Sequence, residues 1–143
     1  MIVLDTEVLT ELMRAEPNDA VVRWLDAYPL REIGTTAVSV SEVLTGLGTL
    51  PESQRKRDLL AAAGDIFDDY FAGRIHPFGP AEAVEYADVV AQRERLGRPI
   101  SRANAQIAAI CRTRGGTLAT RAPEAFGDTG VDVVDPWEAD PEG

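Results

Sequence analysis

The feature that most constrains this chain is a set of short, apolar or β-prone runs separated by stretches with helical spacing. Ile2, Val3 and Leu4 run without a polar break into Asp5, and Ile33 to Thr36, Thr117 to Thr120 and Val131 to Val134 are similarly brief. A strand solvated on one face alternates apolar and polar residues, whereas a strand covered on both faces is apolar throughout. Strands of the second kind belong to parallel sheets between layers of helices. The expected fold class is therefore α/β, a three-layer α/β/α arrangement around a central parallel sheet of four to five short strands.

Between the strands, apolar spacing and helix breakers predict helices over 7–14, 18–27, Ser39 to Leu47, Pro51 to about Tyr70, Pro80 to about Leu96, and from a cap at Ser101 to Gly115 and Gly116. Arg74 to Pro77 reads as a short extended piece. A length of 143 residues with 45% hydrophobic content suits one domain, expected over 1–138, with 139–143 as a disordered acidic tail. No run approaches the roughly 18 apolar residues of a membrane span, and the first residues lack the pattern of a secretory signal. The expectation is a cytoplasmic protein with no membrane partner. Cys111 is the single cysteine, which excludes an intramolecular disulfide and a cysteine zinc cluster. Its helical, apolar neighbourhood predicts a buried thiol rather than a nucleophile.

The net charge of −10 argues against an ordinary basic nucleic-acid binder, yet the charge is unevenly spread. From Arg93 to Arg121 there are seven Arg and one acid, a local charge of +6 against −16 in the remainder. Such a segment can supply phosphate contacts while the acidic remainder limits non-specific polyanion binding. The same residues also suit the solvated faces of two helices.

Three positions would meet at the carboxyl edge of the expected sheet: Asp5 after the first strand, and Glu42 and Asn104 in the first turns of two helices. Oxygen ligands in one cleft there would hold Mg²⁺ or Mn²⁺, with waters completing the coordination. Each also has a capping alternative. Asp5 or Thr6 can cap the helix that follows, Ser39 and Glu42 fit a capping box, and Asn104 stands three residues after the cap at Ser101. His76, beside Pro77, reads as structural. The common nucleotide-binding and serine-hydrolase motifs are absent from the sequence.

The segments MIVLDTEVLTELMR, TTAVSVSEVLTGLGTLP, RPISRANAQIAAICRTRGGTLATR and VDVVDPWE resemble, in order and spacing, the PIN-domain ribonucleases of the VapC type, the toxins of bacterial toxin–antitoxin pairs. The resemblance covers roughly residues 1–138. It implies a PIN-like fold, frequent homodimerisation, Mg²⁺- or Mn²⁺-dependent endonucleolytic cleavage of an RNA substrate, and inhibition by a VapB-like antitoxin. By this resemblance Asp5, Glu42 and Asn104 are the catalytic and metal positions, Thr6 and Thr120 support them, and Arg98, Arg102 and Arg121 contact RNA.

The chain departs from the family pattern at three places. Asn104 stands where P-I-S-x-A-D normally supplies a third acid, and Ala122 and Ala125 replace the polar positions of T-R-N-x-x-D-F. Glu7 occupies the usual Asn position of D-T-N and, like Glu124, offers a compensating carboxylate. Replacing Asp by Asn removes one anionic oxygen, which weakens cation binding and lowers the rate a metal can support. Two functions follow: a metal-dependent endoribonuclease weakened at Asn104, or an inactive PIN module that binds antitoxin or RNA without cleavage. A receiver-like phosphoacceptor also places Asp at strand ends, but the sequence has no convincing Lys on a late strand.

Overall fold

Ile2–Leu4 forms the central strand β1, buried at all three residues. It pairs in parallel with β2 (Ile33–Thr36) on one side and β4 (Thr117–Ala119) on the other. The strands β3 (Ile75–His76) and β5 (Val133–Val134) close the edges, giving the order β3-β2-β1-β4-β5 with every pairing parallel. The computed structural model describes residues 1–139. Of the expected tail only Ala139 falls within that range, where its N–H bonds the Asp135 carbonyl and its side chain packs on the core. Positions 140–143 lie outside the described residues.

Among the described residues six α-helices connect and cover the sheet: α1 (Thr6–Leu12), α2 (Asp19–Asp26), α3 (Ala37–Gly48), α4 (Gln54–Asp65), α5 (Pro80–Arg95) and α6 (Arg102–Arg114). Alternation along the strands divides the core in two. Ile2, Leu4, Ile33 and Ala119 pack against Val8 and Leu9 of α1, Val21 and Trp24 of α2, Val43 of α3, and Phe67 and Phe71. Val3 and Leu118 point the other way, against Val89 of α5 and Ala105, Ile107, Ala108 and Cys111 of α6. Each fully buried Leu, Ile or Val is worth about 1.5–3 kcal/mol of transfer from water, so both faces need their helical cover. This is the three-layer α/β/α arrangement expected of short, doubly buried strands.

Two helix starts differ from the sequence reading. Thr36, the last residue of β2, accepts the Ser39 N–H at 2.9 Å and caps α3, so the cap lies three residues before the expected one. Ser39 is instead buried inside the first turn, and Glu42 lies in the second turn, beyond reach of a cap. The Ser39–Glu42 capping box is thereby corrected. Pro51 likewise does not open α4; Ser53 does, by accepting the Lys56 N–H. The helix expected to reach Tyr70 widens into a π-turn over Ile66–Tyr70, which swings Phe67 and Phe71 into the core.

The β2–β3 edge is tightly packed. A Cβ on Gly34 would lie 2.8 Å from both the Arg74 carbonyl oxygen and the His76 Nε2. That imidazole is buried, and its Nε2 has no hydrogen-bond partner among the described residues. Burial, with a smaller contribution from the Arg114 charge, holds the His76 pKa below its ordinary value.

Gly34→Ala should destabilise the fold by about 1–3 kcal/mol through overpacking, measured by urea unfolding. His76 is more easily protonated in the unfolded chain, whose pKa is about 6.5, than in the folded one. Its contribution is therefore fully present above that value and lost as pH falls. The denaturation midpoint should drop from pH 7 to pH 5, and His76→Leu should reduce that drop.

Candidate functional site

The chain builds β1, β2 and β3 outward in one direction, then crosses back to add β4 and β5 on the other side of β1. The sheet thus switches direction between β1 and β4, and the carboxyl ends of strands at such a point open a crevice. Asp5 follows β1 and Thr120 follows β4, directly at this crevice. The helices α1 and α3 start from the same edge. α6 reaches it too, because it runs back from its first turn to Gly115 and Gly116, where β4 begins.

Asp5 uses both carboxylate oxygens. Oδ1 accepts the Thr6 N–H at 2.8 Å as the cap of α1, and Oδ2 accepts the Thr120 hydroxyl at 2.8 Å. Thr120 is itself held by the Ala122 N–H, 3.1 Å from its Oγ1. The Thr6 hydroxyl, one residue from Asp5, donates to Glu42 Oε1 at 2.8 Å. Capping and acid-site readings of Asp5 are therefore not exclusive: one hydrogen bond per oxygen leaves a lone pair on each. Glu42, relieved of any cap, is tied to Asp5 through a single threonine.

The electrostatics follow from this crowding. Burial raises the Asp5 pKa; the Thr120 and Thr6 hydrogen bonds pull it down, while the charges of Glu42 and Glu7 push it up again. Glu7 is exposed in the first turn of α1, near enough to be felt by Asp5. No three His, Cys, Asp or Glu side chains among the described residues gather closely enough to hold one ion. The compensating acid expected at Glu7 therefore does not complete a three-carboxylate cluster. Glu124 lies exposed in a separate 3₁₀ turn, Pro123–Phe126. Asn104 is half-buried in the first turn of α6, its N–H bonded to Ser101 Oγ at 3.2 Å. Cys111 is buried, and burial together with the Asp5 charge pushes its thiol up to about 12, which excludes a thiolate nucleophile.

The arginines expected to form one basic strip divide by role. Arg93 is buried and donates to the carbonyls of Arg98, Ala125 and Gly127, pinning the 125–127 loop to the end of α5. Arg112 pairs with Glu85 and Asp88 across α5 and α6. Arg98 pairs with Asp128. Arg102 is exposed at the start of α6, and Arg121 lies over the Trp137 ring, 4.5 Å from its centroid.

A cleft of about 750 Å³ runs from Thr6 and Glu42 between α1 and α3, floored by Val43 and Leu47 and flanked by Arg14 and Arg55. An apolar cavity of about 240 Å³, lined by Leu9, Leu12, Phe67 and Tyr70, adjoins it through Met13, which lines both. Among the described residues no helix is long and apolar enough to cross a membrane.

The parallel sheet between helices agrees with what comparison shows. Residues 2–128 match the PIN domain. The chain belongs to the PIN-domain family. It is 36% identical to VapC ribonuclease Y4jK of Sinorhizobium fredii over 96% of this chain and 99% of that one. It is 35% identical to toxin FitB of Neisseria gonorrhoeae over 96% and 99%. In structure it is similar to a chain of the solved complex of FitAB bound to the IR36 DNA fragment, with a TM-score of 0.91, 34% identity and 98% coverage of both chains. This PIN domain is thus of the VapC and FitB type over 96% of the chain, and its parallel sheet agrees with the four to five short strands expected.

Of the residues that sequence reasoning singled out, the structure joins Asp5, Thr6, Glu42 and Thr120 by hydrogen bonds, and Asn104 stands in the first turn of α6. That reasoning missed Trp137 as the support of Arg121, since a cation over a ring leaves no spacing signature. It also credited Arg93 and Arg112 to a surface strip, because a buried or paired Arg looks like a free one in sequence.

Burial beside two other carboxylates makes the ionised form of Asp5 costly. Its folded pKa lies above the unfolded value of 3.8, so the cost is present above the folded pKa and vanishes as pH falls below the unfolded one. In EDTA, Asp5→Asn should melt at a higher temperature than the natural chain at pH 7, with the gap closing toward pH 4 in thermal scans.

Proposed function

We propose that this PIN domain is the toxin of a toxin–antitoxin pair and a Mg²⁺- or Mn²⁺-dependent endoribonuclease. The single observation that carries the reading is the Asp5–Thr6–Glu42 arrangement at the switch point, with both acids anchored through one threonine. A pair of carboxylates that keep lone pairs beyond their threonine hydrogen bonds is the donor set expected of a hard divalent cation. Mg²⁺ commonly takes one or two carboxylates and fills its shell with waters and substrate phosphates. Asp5 and Glu42 would hold it, with the Asn104 amide oxygen as a neutral third donor.

A divalent cation in this position supplies charge stabilisation to a phosphodiester and lowers the pKa of water. The remaining work falls to the chain. Thr6 and Thr120 fix the Asp5 carboxylate in one orientation, so no reorganisation is needed when substrate arrives. Exposed Arg102 and Arg121 attract the RNA backbone to an otherwise acidic surface. Asn104 lowers the negative charge of the site by one relative to an acid there, which weakens ion binding and slows turnover.

The natural chain with Mn²⁺ should cut structured RNA at discrete positions, and EDTA or Asp5→Ala should abolish the cuts. Asn104→Asp should raise the single-turnover rate about ten-fold or more, each factor of ten corresponding to about 1.4 kcal/mol of transition-state stabilisation. Absence of cleavage by both the natural chain and Asn104→Asp would overturn the nuclease reading.

A binding reading is favoured by a separate observation, the cleft that ends at Glu42 and continues into the apolar cavity beside Met13. An antitoxin segment with apolar side chains and an Arg would fill it, the guanidinium meeting Glu42 in a charge-assisted contact. Such a segment would inhibit by occupying the acid pair. It would also leave an inactive PIN domain with a partner to bind.

A further inference from the structure

We propose that Trp137 is a positioning residue, whose indole ring holds the Arg121 guanidinium at the mouth of the acid site as a phosphate contact. The proposal rests on the RNA reading above and assigns a role to a residue outside the acid constellation. Arg121 follows Thr120 directly, and Thr120 bonds the Asp5 carboxylate. The Arg121 backbone is therefore one residue from the site, at the carboxyl end of β4. Trp137 reaches the same edge from the neighbouring strand: it lies three residues beyond β5, and its N–H is fixed by Asp135 Oδ1 at 2.9 Å. The Val134 carbonyl accepts the Thr120 N–H at 2.9 Å, locking the two strand ends together.

The way Arg121 is held distinguishes it from its neighbours. Arg93 gives its N–H groups to three carbonyls, Arg98 is paired with Asp128, and Arg112 with Glu85 and Asp88. Arg121 forms no hydrogen bond or ion pair among the described residues; its restraint is the ring, 4.5 Å from Cζ. Stacking engages the face of a guanidinium and leaves its in-plane N–H donors unspent. An exposed, uncompensated cation held in a fixed orientation beside a phosphodiester site is suited to bidentate recognition of a backbone phosphate. Trp137 itself is half-buried against the core that includes Leu4 and Ala119, which makes the platform rigid.

The test is binding, read separately from cleavage. A labelled single-stranded RNA is titrated in EDTA with the natural chain, Arg121→Ala, Trp137→Leu, Trp137→Phe and the Arg121→Ala/Trp137→Leu double variant, at several salt concentrations. Thermal unfolding of each protein verifies folding, and Trp137→Phe keeps an aromatic face in case the Leu variant unfolds. Arg121→Ala should lower the slope of log K against log salt by about 0.7 and weaken binding about five-fold near 0.1 M salt, the effect of one released counterion on a single strand. Trp137→Leu should weaken binding in the same direction, Trp137→Phe should restore most of it, and Trp137→Leu should add less than two-fold in the Arg121→Ala background. An equal loss from Trp137→Leu with and without Arg121 would overturn the proposal, as would an unchanged salt slope in Arg121→Ala. If the natural chain binds RNA normally in either of those cases, the RNA reading survives. If it binds no RNA, both fall.

Discussion

The parallel pairing of β1 on both its edges is the constraint on which everything else in this molecule depends. Three residues, Ile2 to Leu4, are hydrogen-bonded to β2 and β4 and buried on both faces. Because the neighbours run parallel, the ends of β1, β2 and β4 lie along one edge, and the helices that follow or precede them begin there. A carboxylate, two threonines and three helix starts reach one crevice as a consequence of this pairing. Antiparallel pairing of either neighbour would send Thr36 or Thr120 to the opposite side of the sheet and dismantle the site.

Within the crevice, the arrangement is governed by the burial of a carboxylate, to which the neighbouring acids add a smaller repulsion. Asp5 is half-buried, sits beside Glu42 and Glu7, and is stabilised only by neutral donors from Thr6 and Thr120. Such a site is costly when empty of positive charge and gains from any cation that enters, be it a metal ion or a partner's arginine. Asn104, in the first turn of α6, brings an amide and no further charge to this edge of the sheet.

How much of this was legible beforehand depended on whether a residue's role is local or distant. Asp5 at the end of an apolar run and Ser101 at the start of a helix were readable, since strand burial and caps act over a few residues. The cap of α3 was misread because Thr36 belongs at once to a strand and to a helix start. The spacing pointed to Ser39, and only the end of β2 places Thr36 as the cap. The arginines were harder still. Arg93 is spent on the carbonyls of Arg98, Ala125 and Gly127, while Arg121 rests on Trp137; neither pairing has a spacing rule.

By itself the sequence determined the α/β class, the order of strands and helices, the positions of the acid residues and the amide at 104, because these depend on periodicity, breakers and residue identity along the chain. The tertiary structure alone decided which strands became neighbours, and hence that Thr120 would hold Asp5 across 115 positions of sequence and Thr6 would hold Glu42 across 36. It also decided which arginines stay available and where a groove meets the acid pair. Those outcomes require distant segments to be packed into contact, and the energy that packs them comes from burying both faces of the sheet rather than from the polar residues that end up touching.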